Sequence, residues 1–220
     1  MIKAKASQYL RDISNETKAP NSLQEMNYSI VKPCGIFGDK ASESILFNNA
    51  AYVLRRTPLF LLPHDGKARF QPIHVRDMAE LMAALGHDNI HTTGEELDAV
   101  GPDAPTALEL FQSLSDSLPR KNILRRLFPT IVAPSHLSPH IILAATKPID
   151  WYTGDVLLDS DDLNLMYSGL TVADDPTDVR IHGRKSVLEW FHEMGDELGI
   201  EYINSIDRYY YNRDSKLSHL

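Results

Sequence analysis

The chain has 220 residues, 43% hydrophobic and 24% charged, with a formal net charge of -8. That is enough chain for one substantial core, as one domain or a domain with a small cap. The acidic balance disfavours a nucleic-acid partner, because neutralising a phosphate backbone needs clustered Lys and Arg, and the single cysteine, Cys34, rules out an internal disulfide and fits a reducing, intracellular compartment, cytoplasmic or organellar.

In chain order, Ala6, Tyr9, Leu10 and Ile13 fall at helical spacing, so a helix begins almost at residue 1. Such a short helix is marginal without a sheet to cover it, and the chain reads as if an upstream half had been removed. The polar stretch from Asn15 to Gln24, with Pro20 and Asn21, reads as a surface loop. Tyr28 to Val31 is a short, partly β-branched run stopped by Pro33 and Gly35, the pattern of an interior parallel strand that ends at a ligand-facing edge. Ser42 or Ser44 caps a helix carrying Leu46, Ala50, Val53 and Leu54 on one face. After the apolar run Leu59 to Leu62, His64-Asp65-Gly66 makes a turn before an extended run from Ala68 to Val75.

Asp77 stands at an N-cap or first-turn position ahead of Met78, Leu81, Met82 and Leu85 in helical register. Leu97 to Val100 reads as a short strand, and a helix follows from Thr106 to Leu118. The stretch from 119 to 180 is rich in proline and less regular, and Asp159 to Asp162 read as a helix cap ahead of Leu163 and Met166. A last helix spans Arg184 to Leu198, followed by a tail whose Tyr209 to Tyr211 can cover apolar surface. The longest apolar region, Ile131 to Ala145, is interrupted by Pro134 and Pro139, so no transmembrane span of roughly 20 residues is expected.

Two candidate chemistries have simpler explanations. Cys34 has no histidine beside it in sequence to activate a thiolate, so a small buried thiol explains it better than a nucleophile. His87, Asp88, His91 and Asp98 lack a tight ligand spacing, and no metal site is assigned. The basic cluster Arg120, Lys121, Arg125 and Arg126 reads as a solvated helix end.

The run Ile2-Lys3-Ala4-Lys5-Ala6, the segment Tyr28 to Gly38 and the motif Phe70-Gln71-Pro72-Ile73-His74-Val75-Arg76-Asp77-Met78-Ala79 occur in an order that resembles the extended and atypical short-chain dehydrogenase/reductase superfamily. The likeness is to its NAD(P)-dependent epimerase and dehydratase group and to the branch containing the NAD(P)H-binding accessory subunit of respiratory complex I. It covers residues 1–118. It implies an α/β fold, the C-terminal half of a Rossmann-type parallel sheet, with residues 119–220 as a variable helical and irregular substrate cap.

The resemblance further implies NAD or NADP as cofactor, with Lys5 as the catalytic and ribose-binding lysine and with Pro33, Cys34, Gly35 and Ile36 approaching the nicotinamide. Asn48, Arg69 and His74 would line a cleft for a small-molecule substrate. The family's tyrosine, four residues before the lysine, corresponds here to Met1, whose thioether cannot move a proton. No Gly-x-Gly-x-x-Gly turn follows a strand to cradle a pyrophosphate. An oxidoreductase-like or epimerase-like protein that is inactive as it stands is therefore expected. The alternative is a non-catalytic structural or assembly protein that meets a protein partner through exposed apolar surface.

Overall fold

The computed structural model describes residues 2–17, 28–87, 94–119, 130–156 and 158–204. Met1, Asp88, His91, the basic cluster at 120–126, most of the loop expected at 15–24 and the tail at 205–220 lie outside them.

The first helix, α1 (Ile2–Thr17), contains neither glycine nor proline and runs three residues into the expected loop. Its orientation differs from what its apolar spacing suggests. Ser14 is buried and Ser7 and Arg11 are half-buried, whereas Tyr9 is 67% exposed and Leu10 38% exposed. Ser7, Arg11 and Ser14 thus turn inward with Ile13, while Ala6, Tyr9 and Leu10 of the apolar stripe turn outward.

Strand β1 (Ser29–Pro33) gains its extended geometry from Ile30 and Val31, and it stops at Pro33, which has no N–H to donate. It pairs in parallel with the strand Glu95–Ala99, from Ser29 opposite Glu95 to Pro33 opposite Ala99. Cys34 N–H continues the ladder by donating to Ala99 O at 3.3 Å. Between these strands the chain forms β2 (Ile36–Phe37), α2 (Ile45–Leu54), β3 (Leu59–Leu62), β4 (Ile73–His74) and α3 (Val75–His87), so Glu95–Ala99 is β5. Then come α4 (Ala107–Ser117), β6 (Ile131–Pro134), α5 (Pro139–Thr153), α6 (Ser160–Ser168) and α7 (Val187–Met194).

The architecture is mixed α/β, with the described strands in three short parallel pairs: β1 with β5, β2 with β4, and β3 with β6. Parallel neighbours require a crossover, and α3 lies on the path from β1 to β5. Leu97 and Ala99 are buried on one face of β5, where Leu85 of α3 packs against the cluster of Leu97, Val100, Ala173 and Ile181. Glu96 and Asp98 point to the other face, where Lys32 pairs with Asp98 at 3.3 Å and Arg11 of α1 pairs with Glu96. One helix therefore serves each face of this strand pair.

The main core lies beside it. Leu110 and Leu114 of α4 pack with Val187, Trp190 and Phe191 of α7 and with Phe37 and Phe47, so this core draws on both sides of residue 118. Phe37 stands 5.2 Å from Trp190, and Phe47 meets Phe191 edge-on at 5.0 Å. Each such aromatic pair adds about 0.5–1.5 kcal/mol beyond the area it buries.

Several local expectations needed adjustment. Only Ile73–His74 of the run from 68 to 75 is strand; Phe70 and Gln71 instead spend their N–H groups on Pro105 O and Thr171 O. The last helix is shorter than its pattern, because the Asp77 carboxylate takes the N–H groups of Arg184 and Lys185 and holds them in a loop. Ser186 caps α7 and Thr106 caps α4. Asp159 caps α6 as its spacing predicts, accepting from Asp162 N at 2.8 Å. Ser44 is the N-cap residue of α2 but makes no side-chain cap bond.

The proline-rich stretch holds more regular structure than its composition suggests. Pro134 closes β6, and Pro139 opens α5, where a missing N–H costs nothing. Pro148 sits inside α5 without ending it. No helix among the described residues is long and apolar enough to cross a membrane.

Candidate functional site

The carboxyl ends of β1 and β5 are where a parallel α/β layer offers its loops to a ligand. The loop from Cys34 to Gly38 is held there from three sides. Cys34 N–H donates to Ala99 O, Ile73 N–H donates to Gly35 O at 2.8 Å, and Phe37 is fully buried between Trp190 and the edge of the His74 ring. Pro33 and Ile36 stay exposed, so the loop shows apolar surface and backbone outward.

Gly35 is not demanded by the chain's own packing. A Cβ there would meet only Pro72, at 3.5 Å and 3.9 Å, which is ordinary contact. The tight approach is at Gly101, where a Cβ would fall 2.1 Å from Pro72 O. Gly101 thus lets the β5 end pass beneath the β4 segment, a role its place after a strand suggests only once the neighbouring backbone is known.

Cys34 is half-buried beside the Leu97 and Val100 cluster. Burial, followed by the nearby Asp98 and Asp174 carboxylates, pushes its thiol up to about 11. It therefore stays protonated at neutral pH and is a poor nucleophile.

His74 is 6% exposed. Its Nδ1 accepts the Arg76 N–H at 3.3 Å, which places the proton of a neutral imidazole on Nε2, 3.3 Å from Asp39 Oδ1. Asp39 also receives the Arg76 guanidinium at 2.8 Å. Both ring nitrogens are thus engaged within the chain, and His74 fixes the Asp39 turn just past the loop. Sequence reading missed Asp39, whose only signal is that it follows Gly38.

The other expected residues are dispersed. Lys5 is exposed on α1, about 9 Å along the helix from Arg11 at 1.5 Å per residue. Asn48 is buried, donating to Glu201 O at 2.9 Å and accepting from Gly199 N at 3.0 Å, so its amide stitches α2 to the segment after α7. Arg69 is exposed, its carbonyl taken by the Thr171 hydroxyl and its guanidinium close enough to Glu109 to help hold that carboxyl low, behind the larger effect of the Thr106 hydrogen bonds.

Gln71 has a structural task that the motif did not reveal: buried, it donates to Gly101 O at 3.1 Å and accepts from Ala173 N at 3.1 Å, tying β5 to the loop before α7. No protein-family model matches the chain, and no curated protein is similar to it in sequence.

Proposed function

We propose that the carboxyl edge of β1 and β5 is the nicotinamide-side wall of an NAD(P) site, and that the chain is an oxidoreductase-like or epimerase/dehydratase-like protein of the short-chain dehydrogenase/reductase kind. The observation that carries this reading is the crossover from β1 through α3 to β5 with the Cys34 to Gly38 loop clamped at the strand ends. In a Rossmann-type sheet a dinucleotide lies across such ends. Lys5, at the lysine position of the resemblance, would face the ribose.

Gly35 gives a clean test, because a Cβ there makes only ordinary contact with Pro72 and no backbone clash. NADPH titrated calorimetrically into the protein should give heat that Gly35→Leu removes while the melting temperature is kept. Equal binding by both proteins, or none by either, would remove this loop from the reading.

A second reading, a structural or assembly protein, is favoured by Tyr9 and Leu10, exposed on α1, and by Trp151, 88% exposed on α5. A protein partner would cover such surface. Sedimentation against candidate partners, with Tyr9→Lys as control, separates this reading from cofactor binding.

A further inference from the structure

An unassigned concavity lies between α2, β3, α5 and α6, with a volume of about 470 Å³. It shares no residue with the Cys34 to Gly38 loop. Its size falls within the roughly 300–1,000 Å³ of small-molecule sites. Leu46 and Val53 of α2, Phe60 and Leu61 of β3, and Ile142 and Ile149 of α5 give it apolar walls.

Its polar groups are few and partly gathered. Asp155, just past the end of α5, is buried; its Oδ1 accepts the Val156 N–H at 2.9 Å, and its Oδ2 accepts the Tyr202 hydroxyl at 3.2 Å. Asn49 borders the same corner, because its amide donates to Ile203 O and accepts from Ile203 N, both at 2.9 Å. Asn204 fastens the corner to α5 through Thr153 O at 3.1 Å. The described residues lining the cavity include no Lys, Arg or His.

We propose that this cavity binds a single-chain apolar molecule with a neutral, hydrogen-bond-donating head, of the class of a long-chain or isoprenoid alcohol, its tail along α2 and α5 and its hydroxyl at Asp155 and Tyr202. The walls supply the hydrophobic driving force, about 25 cal/mol per Å² of apolar surface removed from water. The corner supplies orientation: a carboxylate oxygen of Asp155 accepts the alcohol proton, beside the Tyr202 hydroxyl, whose own proton goes to Asp155. Burial, then the Asp155 charge, pushes the Tyr202 phenol up to about 12, so that proton stays in place at neutral pH. A fatty acid or phosphate ester would instead bring a second negative charge beside Asp155, and the described lining offers it no cation.

The test uses the 220-residue protein and the neutral fluorophore N-phenyl-1-naphthylamine, displaced by 1-decanol or by decanoate. The expected result is displacement by decanol at concentrations about tenfold below those of decanoate, a difference of about 1.4 kcal/mol. Ala145→Trp, on the exposed rim of the cavity, should abolish probe binding without lowering the melting temperature. Asp155→Asn should narrow the gap between alcohol and carboxylate. Equal displacement by decanol and decanoate in the wild-type protein, or undiminished probe binding by a folded Ala145→Trp variant, would overturn the proposal. If Ala145→Trp melts early, Thr146→Trp, from the same helix and also lining the cavity, is read by the same criterion.

Discussion

Asn48 Oδ1 accepts the backbone N–H of Gly199 at 3.0 Å, joining α2 to a segment 151 residues later in the chain. Asn49, the next residue, repeats the device by exchanging two hydrogen bonds with the Ile203 backbone. The two amides act as a short artificial strand edge for residues 199–203. Arg55 adds to the seam by donating to Leu198 O at 2.6 Å and Gly195 O at 2.8 Å.

Asn48→Ala should therefore cost stability. It leaves the buried Gly199 N–H without its partner, about 1–3 kcal/mol, and releases the Glu201 carbonyl. Urea denaturation should show the loss as a lower midpoint with an unchanged slope. If Asn48 instead served mainly to hold a substrate, the midpoint would stay where it is.

Gly199 itself has φ +70°, and a Cβ there would lie 2.4 Å from the backbone of Ala51 and Tyr52. Neither atom belongs to a movable side chain. Gly199→Ala should cost at least ~2 kcal/mol, the sum of left-handed strain and a backbone clash. Thermal unfolding gives the readout, and a melting temperature unchanged from wild type would mean that the 199–203 strap does not lie against α2.

Cys34 offers a pH test. Its thiol is raised from 9.0 to about 11, chiefly by burial, so the folded state keeps a proton that the unfolded state gives up first. The stabilising contribution is complete below about pH 9 and is lost as the pH climbs through about 11. Iodoacetamide should thus modify Cys34 slowly in the native protein at pH 8, and the native rate should still be rising above pH 9. A native rate that levels off near neutral pH would identify an activated thiolate instead.

Much of the local structure is legible in the sequence, because it depends on neighbours a few residues apart. The Asp159 cap, the start of α4 after Thr106 and the end of β1 at Pro33 all rest on backbone groups within one turn. The length of α7 is not legible in that way, since Arg184 and Lys185 are held by Asp77 more than a hundred residues earlier. Pro134 and Pro139 look like breaks in an apolar run, yet each stands at an element boundary where proline is tolerated, so β6 and α5 hide within a stretch that reads as irregular.

The candidate site was legible to a lesser degree. Pro33 and Gly35 mark the end of a strand, and the loop does lie at the ends of β1 and β5. Asn48 and His74, chosen as polar groups near a cleft, turn out to be occupied by Gly199, Glu201, Arg76 and Asp39. Polarity in a sequence says that a group needs partners; it does not say whether the chain provides them. The inward turn of Ser7, Arg11 and Ser14 was hidden for a related reason, because the Arg11 and Glu96 ion pair, rather than apolar spacing, sets which side meets β5.

The central claim, that the Cys34 to Gly38 loop is the nicotinamide side of an NAD(P) site, is tested most directly by amide chemical-shift mapping with the two halves of the cofactor offered separately. Nicotinamide mononucleotide at millimolar concentration should shift the amides of Cys34, Gly35, Ile36 and Gly101, while adenosine monophosphate should leave them in place. Shifts from adenosine monophosphate alone, or nicotinamide mononucleotide shifts confined to residues away from the β1 and β5 ends, would contradict the account.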